Sequence, residues 1–193
     1  MSDNGKSYDG THYQAASEIY DEIDRTRARL FASVEGLTDE QRDFRPSPDR
    51  WSVAQLCDHL SIVEGNVLRV LNKVLSKAEE AGAPPAAPDA TFAPVSVAEF
   101  VERTRGVKIE APEAVRPADS RPVAESLAAL RDSRAALHTL RPRLERLDAH
   151  ALRFPHPAWG PLNLYQWLLF IGAHEARHLA QLEALKEAMN SER

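Results

Sequence analysis

Apolar residues recur every three or four positions along most of this chain, the spacing of helices that bury one face. From Ala16 to Glu35 the stripe is Ile19, Ile23, Leu30 and Val34, and Gly36-Leu37 reads as a glycine stop followed by its hydrophobic contact. Thr38 and Gln41 repeat the T-x-x-Q capping pattern in a short turn, and Pro46 and Pro48 force extended backbone before Trp51. Ser52 and Gln55 form a second capping box. It opens a longer helix, ending near Glu80, whose stripe runs Val53, Leu56, Leu60, Val63, Val67, Val70 and Val74.

The next stretch, AGAPPAAPDATFAPV, cannot continue a helix because its prolines remove amide donors and clash with the preceding turn. A weak helical turn at Val97 to Arg105 and a second Pro-punctuated stretch, KIEAPEAVRPADSRP, follow, so Ala81 to Arg121 reads as one long crossover lying on the folded body. Ser120 as cap and Pro122 in the first turn begin a third helix. Its stripe is Leu130, Leu137 and Leu144 interleaved with Ser133, Leu140 and Leu147, and Pro142 falls on the outward side.

FPHPAWGPLN reads as a short irregular loop before a last helix, Leu164 to Met189. The stripe of that helix is mixed: Leu164, Trp167, Leu168 and Ile171 give way to His174, Glu175, His178 and Gln181 before Leu182 and Leu185. No strand pattern and no internal repeat stands out. The expected fold is all-α, a four-helix bundle with a long crossover between helices two and three. One domain is expected over residues 13–190, after a polar, disordered tail over residues 1–12.

Composition adds exclusions. With 193 residues, 43% hydrophobic and 27% charged, the chain has enough apolar material for one core and too little length for two ordinary domains. The net charge of -5, with 24 basic residues spread along the chain, gives no electrostatic footprint for nucleic acid or an anionic membrane. No stretch approaches the roughly 20 apolar residues of a membrane span, and the polar start has no signal-peptide pattern, so a cytoplasmic protein is expected. The lone Cys57 excludes an internal disulfide and reads as a small buried residue.

The candidate chemistry lies in HEARH, His174 to His178, which fits the H-E-x-x-H pattern of zinc proteases. Two histidines four apart on a helix share one face, and their rings can converge on one ion. A protease needs Glu175 as general base and a third ligand downstream. Fifteen residues follow His178, the extended motif is absent, and no strand pattern supplies an edge for a peptide substrate. The protease reading fails on that context.

A third ligand would come from upstream. His12 lies in the polar tail; His150 and His156 lie in the loop, within reach of the start of the last helix alone; His138 sits on the outward side of helix three. His59, three residues after Leu56 and four before Val63, borders the core stripe of helix two and is the best placed. Spacing alone leaves two alternatives, a three-histidine metal site and histidines satisfied within the core.

RWSVAQLCDHLSIVEGNVLRVL (Arg50 to Leu71), followed by GPLNLYQWLLFIGAHEARHLAQLEAL (Gly160 to Leu185), resembles the DinB-like family, the DinB/YfiT superfamily. The resemblance runs from about Ala15 to Lys186 and includes IEAPEAVRP in the crossover. It implies a four-helix bundle holding a divalent metal through three histidines, His59 from the W-S-x-x-x-x-x-x-H-L segment and His174 and His178 from H-x-x-x-H. The family's better understood members are metal-dependent enzymes that use low-molecular-weight thiols, among them S-transferases and an isomerase.

Three neutral imidazoles leave an ion its full charge and open positions, as in catalytic sites, and Zn, Ni, Fe and Mn all suit such ligands. The first expectation is therefore an enzyme whose metal binds a thiol or water, lowers its pKa and presents the resulting anion to a small electrophilic substrate, the thiol being what the resemblance implies. Glu175 and Gln181 are candidates to steady a ligand or touch substrate, Glu175 alternatively making an interhelical pair. Arg177 and Asp58 are expected at helix interfaces or in solvent, outside the chemistry. Trp51, Trp159 and Trp167 read as packing residues, Trp159 being the one placed for substrate contact. The competing class is a non-catalytic bundle that binds metal or a protein partner. A homodimer suits either.

Overall fold

The computed structural model describes residues 12–87, 91–93, 95–96, 110–117 and 121–191. Five α-helices occur among them: α1 (Ala16–Val34), the short α2 (Asp39–Asp43), α3 (Val53–Glu80), α4 (Val123–Arg146) and α5 (Leu164–Ser191). The four long helices make the bundle, α1 packing on α5 and α3 packing on both α4 and α5.

Local chemistry sets most of the boundaries. Thr38 and Gln41 close a reciprocal capping box on α2, and Ser52 and Gln55 do the same on α3. Gly36 ends α1 with φ 82°, a conformation in which a Cβ would clash with the backbone. Pro122 is the N-cap of α4, one position outside the helix, where its carbonyl accepts the amides of Glu125 and Ser126. The cap expected at Ser120 and the turn expected over Val97–Arg105 lie outside the described residues, as does the tail before His12.

Two expectations change. Val70 and Val74 are half-buried, and Leu71, Leu75 and Ala78 carry the stripe of α3 instead. Over 28 residues a 3.6-residue period drifts away from any fixed three-four count, so the later turns rotate the core face by one position. FPHPAWGPLN is also not irregular: β1 (Arg153–His156) pairs antiparallel with β2 (Gly160–Asn163), His156 opposite Gly160. Gly160 takes φ 73°, the left-handed position that closes a three-residue hairpin. Prolines on short edge strands hid the hairpin from a pattern search.

The hairpin leads straight into α5. Asn163 Oδ1 accepts the Gln166 amide at 2.8 Å and Gln166 Oε1 accepts the Asn163 amide at 2.9 Å, a capping box with Asn in place of Ser or Thr. Trp167 Nε1 donates to the Phe154 carbonyl at 3.2 Å, which holds the hairpin against the helix. A second small pairing joins His12–Tyr13 to Val95–Ser96, and the crossover also touches the bundle where Ala86 donates to the Arg146 carbonyl at 2.8 Å.

The core is divided. Ile19, Ile23, Val67, Leu71, Leu137, Leu144 and Leu168 belong to one cluster; Leu30, Val34, Leu56, Leu60, Leu130, Leu182 and Leu185 belong to another. Fully burying one such leucine contributes about 1.5–3 kcal/mol. Between the clusters each long helix contributes one charged residue: Arg27 from α1, Glu64 from α3, Arg134 from α4 and Glu175 from α5, all at most 7% exposed. Arg27 pairs with both carboxylates, reaching Glu175 Oε1 at 2.5 Å, and Arg134 lies 3.3 Å from Glu175 and 3.5 Å from Glu64. Two positive and two negative charges cancel in this layer. Ser133 Oγ donates to Glu64 at 2.8 Å, and the Leu130 carbonyl accepts from Arg27.

Candidate metal centre

α3 and α5 bring His59, His174 and His178 together. His174 and His178 lie one turn apart on α5, and His59 faces them from α3. The Nε2 atoms of His59 and His174 are 3.2 Å apart, those of His174 and His178 3.1 Å, and one ring nitrogen from each residue lies within 4.8 Å of the other two. A tetrahedral ion with metal–nitrogen bonds of about 2.0–2.1 Å separates two ligand nitrogens by about 3.3–3.4 Å. The two pairs that share His174 stand close to that spacing, and the third lies within 4.8 Å.

Two of the rings are oriented from behind. His59 Nδ1 donates to the Val115 carbonyl at 2.7 Å, from a 3-10 turn (Glu113–Val115) in the crossover. His178 Nδ1 donates to Gln181 Oε1 at 2.7 Å. A carbonyl oxygen can accept and not donate, so the proton sits on Nδ1 in both rings and Nε2 turns a lone pair inward. Outward N–H partners of this kind fix tautomer and ring direction at metal centres. The two inward lone pairs of His59 and His178 both face His174 Nε2, whose single proton could serve one of them at a time.

Burial reinforces this state. It pulls the His178 imidazole down to about 3, lowers His59, and holds His174 well below the usual value, the other two rings adding to the effect on His174. Each ring is therefore neutral at pH 7 and able to ligate. The unfolded chain, with imidazoles near 6.5, binds more protons than the folded chain below that value, so stability falls as pH drops. For metal-free protein, urea unfolding should show this between about pH 6.5 and 5, before carboxylates titrate, at up to about 1.4 kcal/mol per pH unit for each buried ring. A profile flat across that window would contradict the neutral, buried cluster.

Aromatic rings flank the histidines. Trp51, just ahead of the α3 cap, has its ring 4.8 Å from that of His59 and 6.3 Å from that of His178. Its place beside the cluster is additional to the packing role read from the sequence. On the other side Phe170 lies 5.2 Å from His174 and carries the hairpin, where His156 and Trp159 stack at 4.1 Å. The hairpin thus folds back along α5 instead of meeting its first turn alone, and brings His156 near the site. His138, as expected, is directed outward, to Asp24 at 2.9 Å.

The remaining candidates separate clearly. Gln181 is exposed and holds His178. Glu175 is 1% exposed and turned into the ionic layer, with its carboxylate on Arg27 and Arg134, which is the interhelical pairing. A cavity of about 10 Å³, lined by Leu60, Val63, Glu64, Ile171, His174 and Glu175, lies between that layer and the histidines. Asp58 is buried and paired with Arg121 at 2.8 Å. Cys57 is buried in the core cluster with Leu56 and Leu60, its thiol pushed up to about 12 by burial.

The sequence profile of the DinB superfamily matches residues 22–182, which include all three histidines and all four long helices in whole or part. The chain belongs to the DinB superfamily. It is 28% identical over 171 residues to the uncharacterised protein YuaE of Bacillus subtilis (strain 168), covering 86% of this chain and 95% of YuaE. Two solved structures share its fold. TT2238, a four-helix bundle protein, is 21% identical with a TM-score of 0.59, over 88% of this chain and 99% of its own. YfiT from Bacillus subtilis, described as a probable metal-dependent hydrolase with an unusual four-helix bundle topology, is 19% identical with a TM-score of 0.58, over 91% of this chain and 87% of its own. Among the described residues, no helix of this DinB-superfamily chain is long and apolar enough to cross a membrane.

Proposed function

We propose that the protein is a metal-dependent enzyme, a thiol S-transferase, in which His59, His174 and His178 hold one divalent ion. The observation that carries this reading is the convergence of three imidazoles, His59 and His178 each placing Nε2 3.1–3.2 Å from that of His174 and each oriented by a carbonyl partner. The description of YfiT as a probable metal-dependent hydrolase supports the metal dependence. A divalent ion in such a site supplies Lewis acidity and leaves a ligating thiol deprotonated at neutral pH.

The choice of thiol over water rests on the carboxylates. Activating water for hydrolysis calls for a positioned general base, the role Glu175 fills in the H-E-x-x-H reading. Here Glu175 and Glu64 are committed to Arg27 and Arg134, and Asp58 to Arg121. A thiol is acidic enough to need no such base. Trp51 lies against the His59 ring and Phe170 against the His174 ring, which gives the cluster apolar walls.

Purified protein loaded with Zn, Ni, Fe or Mn should consume a free thiol in the presence of a small alkylating electrophile above the uncatalysed rate, and stop when chelated. Loss of ester or amide substrate without any thiol would replace this reading with hydrolysis. Turnover of neither kind, in protein that carries the metal, would favour the non-catalytic bundle.

A further inference from the structure

Seen down the axis of α5, His174 and His178 lie between two charged neighbours on opposite flanks. At 100° per residue, Glu175 is displaced to the core side of His174, and Arg177, three residues on, about 60° to the other side. Glu175 is spent in the ionic layer. Arg177 is exposed, and among the described residues it makes no hydrogen bond or ion pair. In a chain with 29 acidic residues against 24 basic ones, a lone guanidinium beside the functional cluster is conspicuous.

The charge is close enough to matter. Arg177 follows His174 by three residues and directly precedes His178 on α5, so its side chain leaves the helix beside the His174 ring. Asp58, the carboxylate next to His59 in the chain, is buried and tied to Arg121. Three neutral imidazoles add no negative charge, so nothing in the ring cluster itself neutralises the guanidinium of Arg177.

We propose that the small molecule taken by this site carries a carboxylate, held by the guanidinium of Arg177 while its reacting atom reaches the three-histidine centre. The guanidinium fork matches a carboxylate with two parallel N–H donors. Gln181, four residues further on and exposed, borders the same flank with its amide nitrogen free of the bond to His178. This inference rests on the metal reading above and assigns Arg177 a binding role that its place in solvent did not indicate.

The test uses full-length protein loaded with Co²⁺ and titrated with 3-mercaptopropionate, 2-mercaptoethanol and cysteamine, following the thiolate-to-cobalt absorption band. The anionic thiol should bind roughly two- to five-fold more tightly than the neutral one, the range of an exposed to half-exposed ion pair, and the cationic thiol more weakly than either. Arg177→Gln should abolish the preference with cobalt content unchanged, Arg177→Lys should keep part of it, and added salt should reduce it in the native protein. Equal affinity for the three thiols in native protein, or a preference that survives Arg177→Gln, would overturn this inference and leave the metal site standing. Failure to take up Co²⁺ would remove the metal site itself, and this inference with it.

Discussion

Replacing His178 with alanine should lower metal affinity by more than about a hundredfold, with the helical fold retained. The bound comes from comparison: losing a partner behind a ligand costs about 10–100-fold, and losing the ligand costs more. Gln181→Ala supplies that comparison directly, since it removes the acceptor at 2.7 Å from His178 Nδ1 and leaves all three ligating nitrogens in place. Its affinity should fall between those of the native protein and His178→Ala. Metal content by elemental analysis and thermal unfolding read the same effect in two ways. An ion at about a hundred times its Kd stabilises the native protein by about 2.7 kcal/mol, and that gain should vanish in His178→Ala. Native protein with no bound metal and no stabilisation on adding Zn or Ni would show that the three nitrogens converge for some other reason.

The second large effect is expected away from the histidines, in the ionic layer. Arg27→Ala should destabilise the protein by about 3–5 kcal/mol, because Glu64 and Glu175 would be left in the core with the longer contacts to Arg134 as compensation. Arg141→Ala, which breaks an ion pair of half-exposed groups with Glu145, should cost no more than about 1 kcal/mol. Urea unfolding at constant pH separates the two. A cost below about 1 kcal/mol for Arg27→Ala would mean that the layer is solvated in solution. The layer has a consequence for the site as well: Glu175 is bonded through Arg27 and Arg134 to α1 and α4, so the turn of α5 that carries His174 is tied to two other helices.

This layer shows where reading the sequence falls short. Arg27, Glu64, Arg134 and Glu175 each occur where a helix stripe would place an apolar side chain, between Ile23 and Leu30, Leu60 and Val67, Leu130 and Leu137, Ile171 and Leu182. Taken singly, a charged residue in a stripe looks like its edge. The signal was the repetition on four helices, and it becomes meaningful once the helices are known to align at that level. Trp51 was missed in a similar way, since its neighbours in sequence are a cap and a turn while its neighbours in space are His59 and His178.

The sequence by itself determined the helices, because their signals are local: apolar periodicity, the boxes at Thr38 and Ser52, the glycine at position 36. It also picked out His59, His174 and His178 as one group, two by their spacing on a single turn and the third by its place beside a core stripe together with the family resemblance. What tertiary structure decided depends on which groups meet across helices. The partner of Nδ1 on His59, the commitment of Glu175 to two arginines, the hairpin that returns His156 toward His174, and the lack of a partner for Arg177 among the described residues are all long-range facts. Periodicity tells which way a side chain points from its own helix, and contact between helices settles what it finds there.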